Sequence, residues 1–139
     1  MSSYGYKLAM ETAGAVVHEF ATFGSYQGDW WALVTFEGSR GWVNGGYGSC
    51  SGCDAWEAEI DVSHYTGPGK YEGTYHSGYD GPVEGCSRCE DGKVQVSAFG
   101  RGYLSGMMSQ EEAVAQASRN LEWDSDAVRM VDFVSSNKA

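Results

Sequence analysis

The sequence predicts an α+β protein: a small antiparallel β-sheet with zinc-ribbon-like knuckles and a C-terminal helix. Three observations carry this expectation. All four cysteines fall into two Cys-x-x-Cys pairs, Cys50-Ser51-Gly52-Cys53 and Cys86-Ser87-Arg88-Cys89, each set in turn-forming sequence. Two chelating pairs of thiolates supply the tetrahedral ligand set of one structural zinc ion. The stretch WWALVTFE at 30–37 is aromatic and β-branched, and Gly38-Ser39-Arg40-Gly41 then turns the chain back through Trp42-Val43-Asn44, the pattern of a hairpin. Finally, Ser109-x-x-Glu112 has capping-box spacing and opens an apolar stripe of Ala113, Val114, Ala117 and Leu121.

Composition bounds the class. At 139 residues, 42% hydrophobic and 14% aromatic, the chain has enough apolar material for one zinc-stabilised domain over 1–139. Twenty glycines against two prolines favour short strands joined by tight turns. The net charge of −10 comes with lysines and arginines scattered singly. Direct binding to a nucleic-acid backbone needs a basic patch to replace counterions, so that class is disfavoured. No apolar run approaches the roughly 20 residues that span a bilayer. Met1-Ser2-Ser3-Tyr4 has neither a basic nor an apolar leader segment, which predicts a cytoplasmic protein with reduced thiols. Reduced thiols favour a metal over two disulfides.

Along the chain, residues 7–20 read as a helix with Leu8, Val16 and Phe20 on one face, against the preferences of Gly14 and the β-branched pair Val16-Val17. Gly24 to Gly28 forms a turn, and the hairpin that follows leads into Cys50 and Cys53. Trp56, Ala58, Ile60 and Val62 alternate with Glu57, Glu59, Asp61 and Ser63. Period two predicts a half-buried strand with an acidic face, with a short helix as the alternative. Residues 63–85 form a Gly- and Tyr-rich excursion between the two cysteine pairs. Alternation over 93–99 predicts a strand leaving the second knuckle. After a break at Asp124-Ser125, the spacing of Val128, Val131 and Val134 continues a helical or strand face, and 135–139 are expected to fray.

The cysteine set points to structure before catalysis, because four thiolates close the coordination sphere and leave no position for a reacting water. Two features depart from a common ribbon. The 32 residues between Cys53 and Cys86 exceed the usual spacing, and Asp54 and Glu90 stand where knuckles often carry glycine. A mixed site using one pair with His64 or His76, two disulfides, and unmetallated thiols are the alternatives. Thiol-redox chemistry calls for a cysteine at a helix N-terminus, and Asp54 would oppose a thiolate there. No nucleophile triad, phosphate loop or dinucleotide fingerprint assembles. Tyr26, Trp30 and Trp31 are the strongest non-metal feature. Adjacent strand tryptophans point to opposite faces, so one fills a core and the other is covered by the C-terminal helix, a partner or a stacked ligand.

The segment at 24–59, GSYQGDWWALVTFEGSRGWVNGGYGSCSGCDAWEAE, resembles a small, uncharacterised protein family encoded by bacteriophages. The resemblance covers about a quarter of the chain and carries no activity with it. It implies a small accessory viral protein in the host cytoplasm, a setting in which acidic binders of host machinery and inhibitors of antiviral defence are frequent.

The combined expectation is a non-enzymatic, acidic, zinc-binding module that binds a protein partner, with a host or defence factor as the class the resemblance implies. Cys50, Cys53, Cys86 and Cys89 would hold Zn2+, and Glu57, Glu59 and Asp61 would form the contact face beside the excursion. The alternative is a small-molecule or nucleotide binder with an aromatic pocket around Tyr26, Trp30 and Trp31.

Overall fold

A computed structural model describes residues 3–24, 28–48, 87–119 and 126–139. The first helix, α1 (Ser3–Thr12), buries Tyr6, Ala9 and Met10, an i, i+3, i+4 stripe on one face. It ends through Gly14 at φ 108°, and Ala15 N–H donates back to the Met10 carbonyl at 3.0 Å. The expected helix over 7–20 is therefore too long at its C-terminal end. Val16 opens strand β1 (Val16–Gly24), where the β-branched pair is at home on a pleated surface.

Strands β2 (Gly28–Phe36) and β3 (Ser39–Tyr47) complete a three-stranded antiparallel sheet in the order β1-β2-β3. The hairpin is where the sequence puts it, but its turn is tighter than expected. Phe36 pairs with Ser39, leaving Glu37 and Gly38 as a two-residue loop. Both have positive φ, 52° and 81°, the backbone hand that matches strand twist in a tight hairpin. Ser39, Arg40 and Gly41 consequently belong to β3.

β2 is the central strand, and five consecutive residues, Trp30 to Val34, are buried. Their alternation feeds two separate cores. Trp30, Ala32 and Val34 join Tyr6, Met10, Val43, Tyr47, Val96 and Leu104 on one face. Trp31 and Leu33 join Phe23, Trp42, Ala113, Ala117, Met130 and Val134 on the other. The sheet is the middle of three layers.

On the first face α1 packs against α2 (Ser87–Leu104). This corrects the strand expected over 93–99, which lies wholly inside α2. Val94, on the supposed apolar face of that strand, is 68% exposed. The buried positions are Val96, Gly100 and Leu104, with Phe99 and Tyr103 packed beside them, a helical repeat that a seven-residue window cuts short. Gly100 sits so close to α1 that a Cβ there would lie 2.1 Å from the Ala9 carbonyl oxygen. Only a bare Cα permits that approach.

The second face carries α3 (Gln110–Ser118) and α4 (Ala127–Ser136). α3 begins with the expected capping box: Glu112 N–H donates to Ser109 Oγ at 3.2 Å, and Ser109 N–H donates to Glu112 Oε1 at 3.0 Å. α4 turns Ala127, Met130 and Val134 inward and leaves Val128 exposed. The residues expected to fray are tied down instead. Arg40 Nη2 donates to the Lys138 carbonyl at 3.2 Å, and Ala139 N–H donates to Gln110 Oε1 at 2.8 Å. The strand expected at 56–62, the excursion at 63–85 and the break at 124–125 lie outside the described residues. Among those described, no helix is long and apolar enough to cross a membrane.

Candidate functional site

The two cysteine pairs stand at the ends of described elements. Tyr47, three residues before Cys50, closes β3 and is buried, and its hydroxyl donates to the Phe23 carbonyl at 3.3 Å. Ser87, directly after Cys86, opens α2, so the backbone of Cys89 belongs to the first turn of a helix. The second pair thus runs into a helix, not into the strand that a ribbon order requires. Cys50, Cys53 and Cys86 lie outside the described residues, as does the side chain of Cys89. Glu57, Glu59, Asp61 and Tyr26 lie outside them too. Among the described residues no group of three metal-ligating side chains occurs.

The chemistry of the donor set is compatible with a metal at these pairs. The N-terminal turn of a helix carries unpaired amides and a partial positive charge, which favour a thiolate over a thiol. A thiolate is the form that ligates zinc.

Trp30 and Trp31 are both interior, at 0% and 1% exposure. Trp30 lies between aromatic neighbours, stacked on Tyr6 at 5.3 Å and Phe20 at 5.6 Å and edge-on to Tyr103 at 5.1 Å. Its indole also lies over Gly45, the residue opposite it on β3, where a Cβ would come within 2.8 Å of Nε1. Trp31 meets Trp42 edge-on at 6.3 Å beneath α3 and α4. The C-terminal helices therefore supply the cover that the second tryptophan requires. Neither ring presents a face for stacking a base.

The two indoles differ from Trp42 in one respect. Trp30 Nε1 and Trp31 Nε1 are buried without a hydrogen-bond acceptor, whereas Trp42 Nε1 donates to Gln110 Oε1 at 2.9 Å. Gln110 also donates from Nε2 to the Val134 carbonyl at 2.7 Å. One side chain joins β3, α3 and α4, and sequence pattern offers no sign of it beyond its place at the start of a helix.

The outer side of the sheet is different in character. Val16, His18, Glu19, Thr22 and Gly24 of β1 are exposed, and among the described residues β1 pairs only with β2. A bulge falls between Val17 and Glu19, and His18 Nε2 meets Thr35 Oγ1 at 2.8 Å. From Leu8 to Ser39 the sequence carries Glu11, Glu19, Asp29 and Glu37 and no lysine or arginine. Comparison of the chain with protein-family models, with curated proteins and with solved structures finds no match.

Proposed function

We propose that this chain is a non-enzymatic, acidic module that binds a protein partner, and that its two Cys-x-x-Cys pairs hold one structural zinc ion. The observation that carries the zinc is the chain path into each pair. Tyr47 and Val96 belong to one core. Cys50 is three residues beyond Tyr47 and Cys89 seven helical residues before Val96, each within about 10 Å of chain. These short chain lengths support one shared site for both pairs, and zinc there would close the long connection between them.

Partner binding is supported by charge. With a net charge of −10 and a stretch of 32 residues without lysine or arginine, the surface suits a basic partner and repels nucleic acid. Burial of Trp30 and Trp31 removes two of the three rings on which a nucleotide-binding reading rests. The accessory viral role implied by the resemblance, directed at a host or defence factor, is of the same kind.

The test is capture of partners from the native host, with Glu57→Lys/Glu59→Lys beside the unaltered chain. The expected result is a basic protein retained by the unaltered chain and lost by the double variant at an unchanged melting temperature. Equal capture by both would overturn the acidic contact face.

A further inference from the structure

We propose that the outer edge of β1 is a strand-addition site that takes an extended basic segment of the protein partner. This deepens the partner-binding reading and rests on it. An edge strand carries a row of amide and carbonyl groups with no partner on its outer side, a template for one more strand. Proteins commonly blunt such edges by covering them or by placing charge on them.

The other edge of this sheet is treated in that way. Trp42 N–H donates to the Met108 carbonyl at 2.9 Å and Met108 N–H returns the bond at 2.7 Å, so the link between α2 and α3 occupies the middle of β3. β1 has no such cover: among the described residues no backbone hydrogen bond reaches its outer side. Its bulge lies near one end, between Val17 and Glu19, and Glu19 to Gly24 pair with Leu33 to Gly28 without interruption. That regular stretch is about 20 Å long, enough for a six-residue segment. It carries one charge, Glu19, and no lysine or proline.

Charge selects the occupant. In the register of the sheet, Glu19 and Asp29 fall on the same face as Trp31, with Glu37 at the end of β2. No lysine or arginine lies on β1, on β2 or in the turn after it; β1 itself carries His18, and Arg129 of α4 lies 6.0 Å from the Phe23 ring. A second copy of the chain carries the same net charge of −10 and the same Glu19 on its β1, so two copies repel. A peptide with lysine or arginine at alternate positions would set one of them beside Glu19, away from Arg129, while its backbone completes the ladder.

The experiment is titration of the full-length, isotopically labelled protein with an acetylated and amidated (Lys-Thr)4 peptide, read by amide shifts and hydrogen exchange. The expected result is shifts and slowed exchange from Glu19 to Gly24, absent with (Glu-Thr)4. Binding should be lost when alternate peptide amides are N-methylated. Ala21→Pro and Thr22→Pro provide a second reading, since neighbouring strand amides point to opposite edges. Whichever variant keeps the native melting temperature should lose the peptide.

Shifts confined to another surface, undiminished binding of the N-methylated peptide, or no binding would each overturn the proposal. Self-association through β1 without peptide would also overturn it, in favour of a second copy. The two readings fail separately. Host-partner capture that survives the folded proline variant removes this one alone. Peptide addition at β1 without any host partner removes the other.

Discussion

At the scale of single residues, the interior is set by aromatic side chains whose neighbours make room for them. Trp30 fits because its cross-strand partner Gly45 has no side chain, and α1 meets α2 closely because Gly100 has none. Glu37 is a different case. It adopts φ 52° in a two-residue turn where Asn-Gly is the favoured pair, and a residue with a long side chain is strained there. Glu37→Asn is expected to raise stability by about 0.5–1 kcal/mol, read from urea unfolding at unchanged m-value. An equal or lower midpoint would show that Glu37 has a compensating contact. The turn itself was legible as Gly-rich, but its boundaries were not, because Ser39 and Arg40 resemble turn residues until their partners across the ladder are known.

At the scale of elements, local signals that rest on hydrogen bonding within a few residues were legible, and those that rest on periodicity over a short window were not. The capping box belongs to the first kind. Ser109 holds the Glu112 carboxyl below the usual glutamate range, chiefly through its backbone amide and secondarily through its side chain. A carboxyl lowered in the folded state stabilises it above the unfolded pKa, and that contribution disappears as pH falls through the lower folded value. The stability advantage of the unaltered chain over Glu112→Gln should therefore be present at neutral pH and vanish in acid, below the ordinary glutamate pKa of about 4.3. Thermal melts at a series of pH values would show it, and a gap that is constant with pH would refute the assignment. Ser109→Ala should cost about 1 kcal/mol at neutral pH. α2 is the second kind. Within 93–99, alternating Val94, Val96 and Ala98 mimic a strand, and only Gly100, Tyr103 and Leu104 beyond the window disclose the helix.

At the scale of the whole molecule, the two helical layers explain why adjacent tryptophans are tolerated on one strand. Each face of β2 has its own cover, α1 with α2 and α3 with α4. The proposed zinc ion would join the end of β3 to the start of α2. Protein purified without added metal should carry about one zinc per chain, because the site is a single four-thiolate set. Chelation should lower the melting temperature, since the energy of binding metal is folding energy. A fully folded, metal-free protein with an unchanged melting temperature would remove the zinc. By itself the sequence determined the β2–β3 hairpin, the capped helix after Ser109 and the acidic balance, because each depends on neighbours in the chain or on composition. Tertiary structure alone decided that 16–24 is a strand, that 93–99 is helix, that both tryptophans are interior and that, among the described residues, β1 has an open edge. Those outcomes depend on which surfaces meet: a strand edge is open or closed, and an indole buried or bare, only by virtue of segments far away in the chain.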